Sequence, residues 1–130
     1  MANGIPGTVG WFDLTVDNAA AVRDFYMAVV GWQKQGVEMT DGDETYLDYC
    51  MVPPGQEQPA AGICNRRGSN INLPPVWLIY FTVADLEASL NEVQERGGRV
   101  VCEPAAAGAN GRFAVIEDPA GAVCALYESK

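Results

Sequence analysis

Four side chains of this sequence have the chemistry to hold a small organic molecule: Trp11, Asp13, Tyr80 and Tyr127. The indole offers a flat apolar wall for a planar ligand, and each phenol joins an apolar ring to a hydroxyl that can orient one. The carboxylate can act as a general base or contact a cationic group. A few polar groups in apolar surroundings are typical of a ligand pocket, so these residues are the predicted ligand contacts.

Structural interpretations of the same residues remain open. Asp13 can be a rim carboxylate that caps a neighbouring backbone group, and we favour that interpretation over a catalytic one. Tyr80 and Tyr127 are also residues that suit half-buried strand positions. The residue types therefore identify candidate contacts without assigning a reaction, and the catalytic residues are unknown.

Several kinds of catalytic site are missing from the sequence. There is no histidine, so neither a histidine-based triad nor an imidazole metal ligand can be assembled. The four cysteines, at positions 50, 64, 102 and 124, form no CxxC pair and lie in or beside apolar, strand-like stretches. Cys64 and Cys124 also lack a local basic residue that would lower a thiol pKa. We predict reduced packing residues rather than disulfides, metal ligands or nucleophiles.

Charge and hydropathy narrow the choice of partners. Eight Lys and Arg against 17 Asp and Glu give a net charge of −9, which would repel nucleic acid. Such acidity is ordinary for a soluble protein, although a pocket that favours a cationic or polar ligand is an alternative. No apolar run approaches the roughly 20 residues of a membrane helix, and the start of the sequence resembles no leader. These features predict a cytoplasmic protein that contacts neither nucleic acid nor membrane.

The elements that must position the candidate residues occur twice. The strand-like segment Trp11 to Asn18 precedes a helix that stops at Gly31, and Leu78 to Asp85 precedes one that stops at Gly98. In both copies the Asn or Asp helix cap lies 13 positions before the glycine. Three further strand-like segments follow each helix: in the first copy 32–39, 44–51 and 60–65, and in the second 99–103, 112–117 and 122–128. The pattern predicts two βαβββ modules in an α+β fold.

The modules are expected at about residues 8–65 and 76–128, within a single domain of residues 1–130. Residues 66–75 lack periodicity and form the predicted linker. Each module has one helix, which can cover only one face of its strands. On the first strands, the apolar positions from Phe12 to Val16 and from Trp77 to Val83 should pack on the helices. The opposite face is left for a ligand, large side chains or a partner.

Short phrases in both halves, spread over about residues 8–128, resemble the vicinal oxygen chelate superfamily. This superfamily includes glyoxalase I, bleomycin resistance proteins and extradiol dioxygenases. The resemblance implies paired βαβββ modules that form a cup, commonly in a dimer. The phrases are Asp24-Phe25-Tyr26 with Gly31-Trp32, Phe81 to Asp85, Gly97-Gly98, Gly111 to Ala114, and Asp118-Pro119-Ala120-Gly121.

The same resemblance places the family's metal ligands, which are His, Glu or Gln, on the first and last strand of each module. The corresponding positions here are Trp11, Leu78, Ala125 and one near Ala61 to Ile63. None of these side chains is a metal ligand type. This departure from the family pattern predicts that the chain uses neither a metal nor another cofactor. Trp11 either stacks on a ligand or fills the space that a metal would take.

We therefore predict a metal-free small-molecule-binding protein, a sequestering or carrier protein similar to the bleomycin resistance proteins. One alternative is a glyoxalase-type lyase, an isomerase or a dioxygenase acting in the same cup. Another is a protein-interaction module whose cup is filled by its own side chains. Whether the chain is an enzyme stays open, although the missing ligand types favour a binding protein. The predicted partners are a small-molecule ligand and a second copy in a homodimer.

Overall fold

A computed structural model of the chain describes residues 4–107 and 111–129. Each half follows the order strand, helix, strand, strand, strand, which confirms the predicted α+β fold and its βαβββ repeats. The first copy consists of β1 (Val9–Val16), α1 (Ala19–Val30), β2 (Gln33–Asp41), β3 (Glu44–Val52) and β4 (Ala61–Asn65). The second consists of β5 (Trp77–Thr82), α2 (Leu86–Glu95), β6 (Arg99–Ala106), β7 (Gly111–Glu117) and β8 (Val123–Ser129).

The chain divides into two compact units. The N-terminal unit spans residues 12–77, and the C-terminal unit contains the described residues from 78 onward together with those before 12. The predicted linker, residues 66–75, lies within the N-terminal unit. There Arg67 forms ion pairs with Asp41 at 3.1 Å and with Glu44 at 3.2 Å, so this segment is attached to the β2–β3 hairpin.

In the N-terminal unit the strand order is β2-β3-β4-β1. β1 runs parallel to β4, and β3 pairs antiparallel with both β2 and β4. The β2–β3 hairpin turns at Gly42, whose φ of 63° suits a glycine and agrees with the Asp-Gly turn signal of the sequence. The parallel β1–β4 pairing brings the middle of the first strand beside the last strand of the unit.

The core of this unit lies between the sheet and α1. Leu14, Val16, Met51 and Ile63 form its buried centre together with Ala19 of the helix. The apolar side chains of α1 are only partly buried, because Phe25, Val29 and Val30 remain exposed. The helix is apolar on almost every side, so its periodicity does not reveal which apolar side chains meet the sheet.

In the C-terminal unit the strand order is β5-β8-β7-β6. β5 is parallel to β8, and the remaining neighbours are antiparallel. The segment before residue 12 also joins this unit: the Gly7 N–H donates to the Thr82 carbonyl at 2.8 Å, and the Thr82 N–H to the Thr8 carbonyl at 2.9 Å. Helix α2 contributes Leu86 and Leu90 to a core cluster shared with β7 and β8.

The burial along β5 differs from the expectation. Ile79 and Phe81, predicted to pack under a helix, are 36% and 37% exposed, whereas Tyr80 and Thr82 on the opposite face are almost completely buried. On that face Tyr80 packs against Phe113 of the same unit, with the two ring centroids 5.8 Å apart. The predicted division into a covered face and an open face is therefore wrong for this strand.

The two helices begin differently although their caps align in sequence. The Asp85 carboxylate accepts a hydrogen bond from the Ala88 N–H at 3.1 Å, whereas the Asn18 side chain makes no capping bond. Gly31 ends α1 with a φ of 88°, as the sequence predicted. In the described part of the chain, neither helix has the length and hydropathy needed to span a bilayer.

Candidate functional site

Asp13 lies on β1 with its side chain next to Cys64 of β4. The Cys64 Sγ is 3.5 Å from each Asp13 carboxylate oxygen, so the thiol donates to the carboxylate. The strand register explains the contact: Asp13 pairs with Gly62, and Thr15 pairs with Cys64. Because side chains alternate along a strand, Asp13, Thr15 and Cys64 share one face of the N-terminal unit. We call these three residues the Asp13 cluster.

The thiols of Cys64 and Cys50, near the Asp13 carboxylate, both have a raised pKa. Burial raises the pKa of the Cys64 thiol far above its ordinary value of 9.0, and the neighbouring Asp13 charge raises it further. The pKa of the Cys50 thiol is also raised, mainly by burial and then by the negative charge of Asp13. Both thiols therefore stay protonated at neutral pH. This confirms the sequence interpretation that nothing near Cys64 lowers its pKa.

Thr15 is the third member of the cluster and is fully buried. Its hydroxyl has no hydrogen-bond partner among the described residues. A buried hydroxyl without a partner is uncommon, and it marks a place where a water or a polar ligand group could be accommodated. The cluster thus combines one carboxylate, one protonated thiol and one hydroxyl, a set that can bind a hydrogen-bonding or cationic group.

The other predicted ligand contacts, Trp11, Tyr80 and Tyr127, belong to the C-terminal unit. Tyr80 and Tyr127 share one face of it, since Tyr80 pairs with Ala125 and Thr82 with Tyr127. Both tyrosines are buried, whereas Trp11 is half-buried. The structure therefore brings the two tyrosines together, and Asp13 lies in the other unit. Ligand contact by these four residues stays a prediction.

The ring of Tyr127 explains why the family phrase at residues 111–114 begins with a glycine. A Cβ placed on Gly111 would lie 2.6 Å from the Tyr127 hydroxyl oxygen. The tyrosine ring therefore lies directly over the glycine backbone. Tyr127 therefore has a structural packing role, which the sequence analysis left open as an alternative to ligand contact.

The strand registers identify the last of the four family ligand positions. Asp13 of β1 is the counterpart of Tyr80 in the repeat; Asp13 pairs with Gly62, and Tyr80 pairs with Ala125. Gly62 is therefore the counterpart of Ala125. Gly62 and Ala125, like Trp11 and Leu78 at the other two positions, have no side-chain atom that can bind a metal. The described residues also contain no group of three or more His, Cys, Asp or Glu side chains arranged for a metal ion. The donor set does not fit the metal that the resemblance implies.

An aromatic pocket in the N-terminal unit was missed by the sequence reasoning. It has a volume of about 360 Å³, and three of its walls are the rings of Tyr26, Trp32 and Trp77. The Trp77 indole N–H donates to the Tyr26 hydroxyl at 3.1 Å, and the two rings are nearly perpendicular. Tyr26 and Trp32 were noticed only as parts of a family phrase. Their position beside Trp77 depends on the tertiary fold.

A second cavity, of about 450 Å³, lies in the C-terminal unit between α2 and the ends of β7 and β8. Its lining includes the apolar residues Val93, Ile116 and Leu126 of the core cluster. At its rim, Arg96 is paired with Glu92 at 2.7 Å. This charge is already neutralised within the helix, so the cavity offers a ligand mainly apolar surface.

Two curated relatives match most of this chain. "Putative glyoxylase CFP32" of Mycobacterium tuberculosis is 30% identical over 123 residues, which cover 95% of this chain and 46% of that protein. "Anthracycline biosynthesis protein DnrV" of Streptomyces peucetius is 29% identical over 134 residues, covering 98% of this chain and 49% of the relative. The chain therefore spans about half the length of the curated relatives it matches.

Solved structures show the same fold. A Streptomyces coelicolor methylmalonyl-CoA epimerase variant in complex with 2-nitronate-propionyl-CoA is 16% identical, with a TM-score of 0.59 and coverage of 96% of both chains. The family described as Glyoxalase/Bleomycin resistance protein/Dioxygenase superfamily matches residues 8–126. Since this match covers nearly the whole sequence, the chain belongs to the glyoxalase/bleomycin resistance protein/dioxygenase superfamily.

Proposed function

We propose that this chain binds a small, partly aromatic or cationic organic molecule without a metal and without transforming it. The observation that carries the proposal is the content of the four family ligand positions. Trp11, Gly62, Leu78 and Ala125 hold no metal-binding atom, whereas Asp13, next to Gly62, keeps a carboxylate in the Asp13 cluster. Binding through hydrogen bonds and apolar contact needs only the groups that are present.

Asp13 is the residue best placed to orient such a ligand. It is half-buried, so a ligand can reach it, and the Cys64 thiol that donates to it restricts its orientation. A carboxylate held in this way favours an ammonium, hydroxyl or phenol group of the ligand. The predicted contacts Trp11, Tyr80 and Tyr127 remain part of the proposal as further ligand contacts.

Two of the comparisons support a small organic ligand. The relative DnrV is named for anthracycline biosynthesis. The epimerase with the same fold contains an acyl-CoA analogue. A planar aromatic amine fits both the acidic character of the chain and the carboxylate of Asp13.

Binding can be tested by a thermal-shift screen with an anthracycline, an acyl-CoA and a panel of metabolites and antibiotics. A ligand at a hundred times its Kd should add about 2.7 kcal/mol to the free energy of unfolding. Asp13→Asn should weaken binding by about tenfold or more, because a charge-assisted hydrogen bond is lost. The matched control is Asp43→Asn, which removes the same charge from the exposed β2–β3 turn.

Equal affinity of the Asp13→Asn and Asp43→Asn variants would contradict the assignment of Asp13. Failure of every compound to stabilise the wild-type protein would contradict the binding function itself. A Trp11→Ala variant tests the predicted stacking wall in the same assay, and unchanged affinity would remove Trp11 from the set of contacts.

A metal-free enzyme is the second candidate, and the half-buried carboxylate of Asp13 is the observation that favours it. A carboxylate can remove a proton from carbon next to a carbonyl group if it is positioned correctly. Each stabilising compound should therefore be recovered after incubation and analysed by mass spectrometry and proton exchange in D₂O. Unchanged compound supports the binding protein, whereas conversion or deuterium uptake that Asp13→Asn abolishes would establish the enzyme.

A further inference from the structure

Thr15 has a hydroxyl that the packing of the N-terminal unit does not use. The side chain is 1% exposed, and its Oγ1 has no hydrogen-bond partner in the part of the chain that the structure describes. A buried hydroxyl in this state destabilises a folded protein, because its hydrogen bonds to water have not been replaced. Valine has nearly the same shape and suits a strand equally well, so β1 does not need the oxygen. The hydroxyl is therefore best explained by a role other than stability.

Neither neighbour in the Asp13 cluster satisfies this hydroxyl. Cys64 lies directly opposite Thr15 in the β1–β4 register, but its thiol donates to Asp13 and its sulfur is a weak acceptor. Asp13 is two positions earlier on the same face of β1, and its carboxylate does not accept from the hydroxyl. Asp13 and Cys64 are half-buried, whereas Thr15 is fully buried, so the hydroxyl forms the inner end of the cluster.

Asp13 and Thr15 together favour a ligand group that both donates and accepts a hydrogen bond. An ammonium can donate to Asp13 and to the Thr15 oxygen, but it leaves the Thr15 proton without an acceptor. An ether oxygen can accept from Thr15 but cannot donate to Asp13. A ligand hydroxyl does both at once. Alternate residues of a strand are roughly 6.6 Å apart, a gap that one oxygen can bridge with two hydrogen bonds of about 2.8 Å.

We propose that Thr15 is a specificity-determining residue of the Asp13 cluster, and that the ligand places an alcohol or phenol hydroxyl between Asp13 and Thr15. This inference rests on the proposed function, because it concerns the same site. A buried polar group of a binding site rejects ligands that lack the matching group, since the protein group then stays unpaired. Thr15 thus lowers the stability of the free protein, and the ligand hydroxyl removes that penalty when it binds.

The stability of the free protein gives the first test, which needs no ligand. Thr15→Val removes the hydroxyl and keeps the shape, so the melting temperature should rise by about 3 °C or more. The matched control is Thr82→Val. Thr82 has the equivalent place on β5 and is equally buried, but its hydroxyl is not among the buried polar atoms that lack a partner. That variant should gain no stability.

Two results of this measurement would overturn the proposal. An unchanged or lower melting temperature in Thr15→Val would show that the hydroxyl has a partner in the free protein, such as a bound water. An equal rise in Thr82→Val would show that the gain comes from any added methyl group at a buried threonine and not from the unpaired hydroxyl of Thr15.

Three small probes at millimolar concentration test the ligand group: phenol, toluene and benzylamine. Titrations followed by amide NMR shifts give the Kd of each. Thr15→Val should weaken phenol binding by about fivefold or more, because one hydrogen bond is lost. It should change the Kd of toluene and of benzylamine by about twofold or less. Thr15→Ser keeps the hydroxyl and should retain the preference of the wild type for phenol over toluene.

The probes separate this inference from the binding function. Phenol binding that Asp13→Asn weakens and Thr15→Val does not would overturn the role of Thr15 and leave the binding function standing. Equal weakening of benzylamine and phenol by Thr15→Val would assign the site to an ammonium and contradict the hydroxyl. A wild-type protein that binds phenol no better than toluene would also overturn the inference, whereas the binding function is judged by the wider thermal-shift screen.

Discussion

At the scale of single residues, the contact between Asp13 and Cys64 has the clearest chemical consequence. The thiol donates to both carboxylate oxygens at 3.5 Å, and the negative charge in turn disfavours the thiolate. Burial acts in the same direction and is the larger cause. Cys64 is therefore a hydrogen-bond donor that orients Asp13, and its own reactivity is suppressed.

The raised pKa of Cys64 predicts a loss of stability in alkaline solution. The unfolded chain releases this thiol proton near pH 9.0, whereas the folded protein retains it at much higher pH. Because the unfolded state then binds fewer protons, the free energy of unfolding falls as pH rises above about 9, by up to about 1.4 kcal/mol per pH unit. Below that pH this contribution is fully present. Urea unfolding at a series of pH values measures the slope.

Cys64→Ser is the matched variant for this measurement, because serine can donate to Asp13 but does not titrate in this range. We expect the difference in stability between variant and wild type to be constant near neutral pH. Above about pH 9 the wild type should lose stability more steeply than the variant. Two curves that stay parallel across the whole range would show that the Cys64 thiol is not protected as described.

At the scale of elements, the two units share the βαβββ order but differ in their helix caps and in the side chains of their first strands. The first helix begins at Asn18 without a side-chain cap, and the second begins at Asp85 with one. The faces also differ, because β1 carries a carboxylate where β5 carries the buried Tyr80. At this position the C-terminal unit therefore has a buried aromatic side chain, whereas the N-terminal unit has a polar cluster.

The two helix starts provide an internally controlled prediction. Asp85→Ala should lower the free energy of unfolding by about 1 kcal/mol, because the Ala88 N–H loses its acceptor. Asn18→Ala should lower the free energy of unfolding by only roughly a few tenths of a kcal/mol, because the Asn18 side chain makes no capping hydrogen bond. Chemical denaturation of both variants measures the difference. An equal cost at both positions would mean that the capping geometry differs from the one described.

At the scale of the whole molecule, none of the four positions that hold metal ligands in the family carries a metal-binding side chain in this chain. A single missing donor could be replaced by a neighbour, but with no donor at any of the four positions and no histidine in the sequence, the coordination sphere used by the family cannot be built at these positions. The chain keeps the fold of its superfamily and lacks the residues for its metal chemistry. The proposed binding function relies on shape, hydrogen bonds and apolar contact, which need only the side chains that are present.

Metal independence can be measured directly. Protein purified without chelators should contain substoichiometric zinc, nickel, iron and manganese. Its melting temperature should be the same with EDTA as with added metal, because a metal at a hundred times its Kd would otherwise contribute about 2.7 kcal/mol. A stoichiometric metal that survives dialysis, together with a lower melting temperature in EDTA, would contradict the reading of the four positions.

The sequence by itself determined the order of the elements and their approximate bounds, because these depend on local patterns, although β6 extends three residues beyond the predicted 99–103. Alternation along β1, the Asp-Gly turn at Gly42 and the glycine stop at Gly31 each act within a few residues of chain. It also determined which chemistry is missing, since the lack of histidine needs no coordinates. The short phrases repeated in order through both halves were sufficient to recognise the superfamily.

Only the tertiary structure decided which face of an element is buried and which residues meet. Phe25 and Tyr26 are neighbours in an apolar helix, yet one projects outward and the other lines a pocket with Trp77, 51 positions away. Asp13 and Cys64 are equally distant in sequence and meet through the parallel register of β1 and β4. Such contacts depend on packing between elements, which a local pattern of polar and apolar residues does not encode.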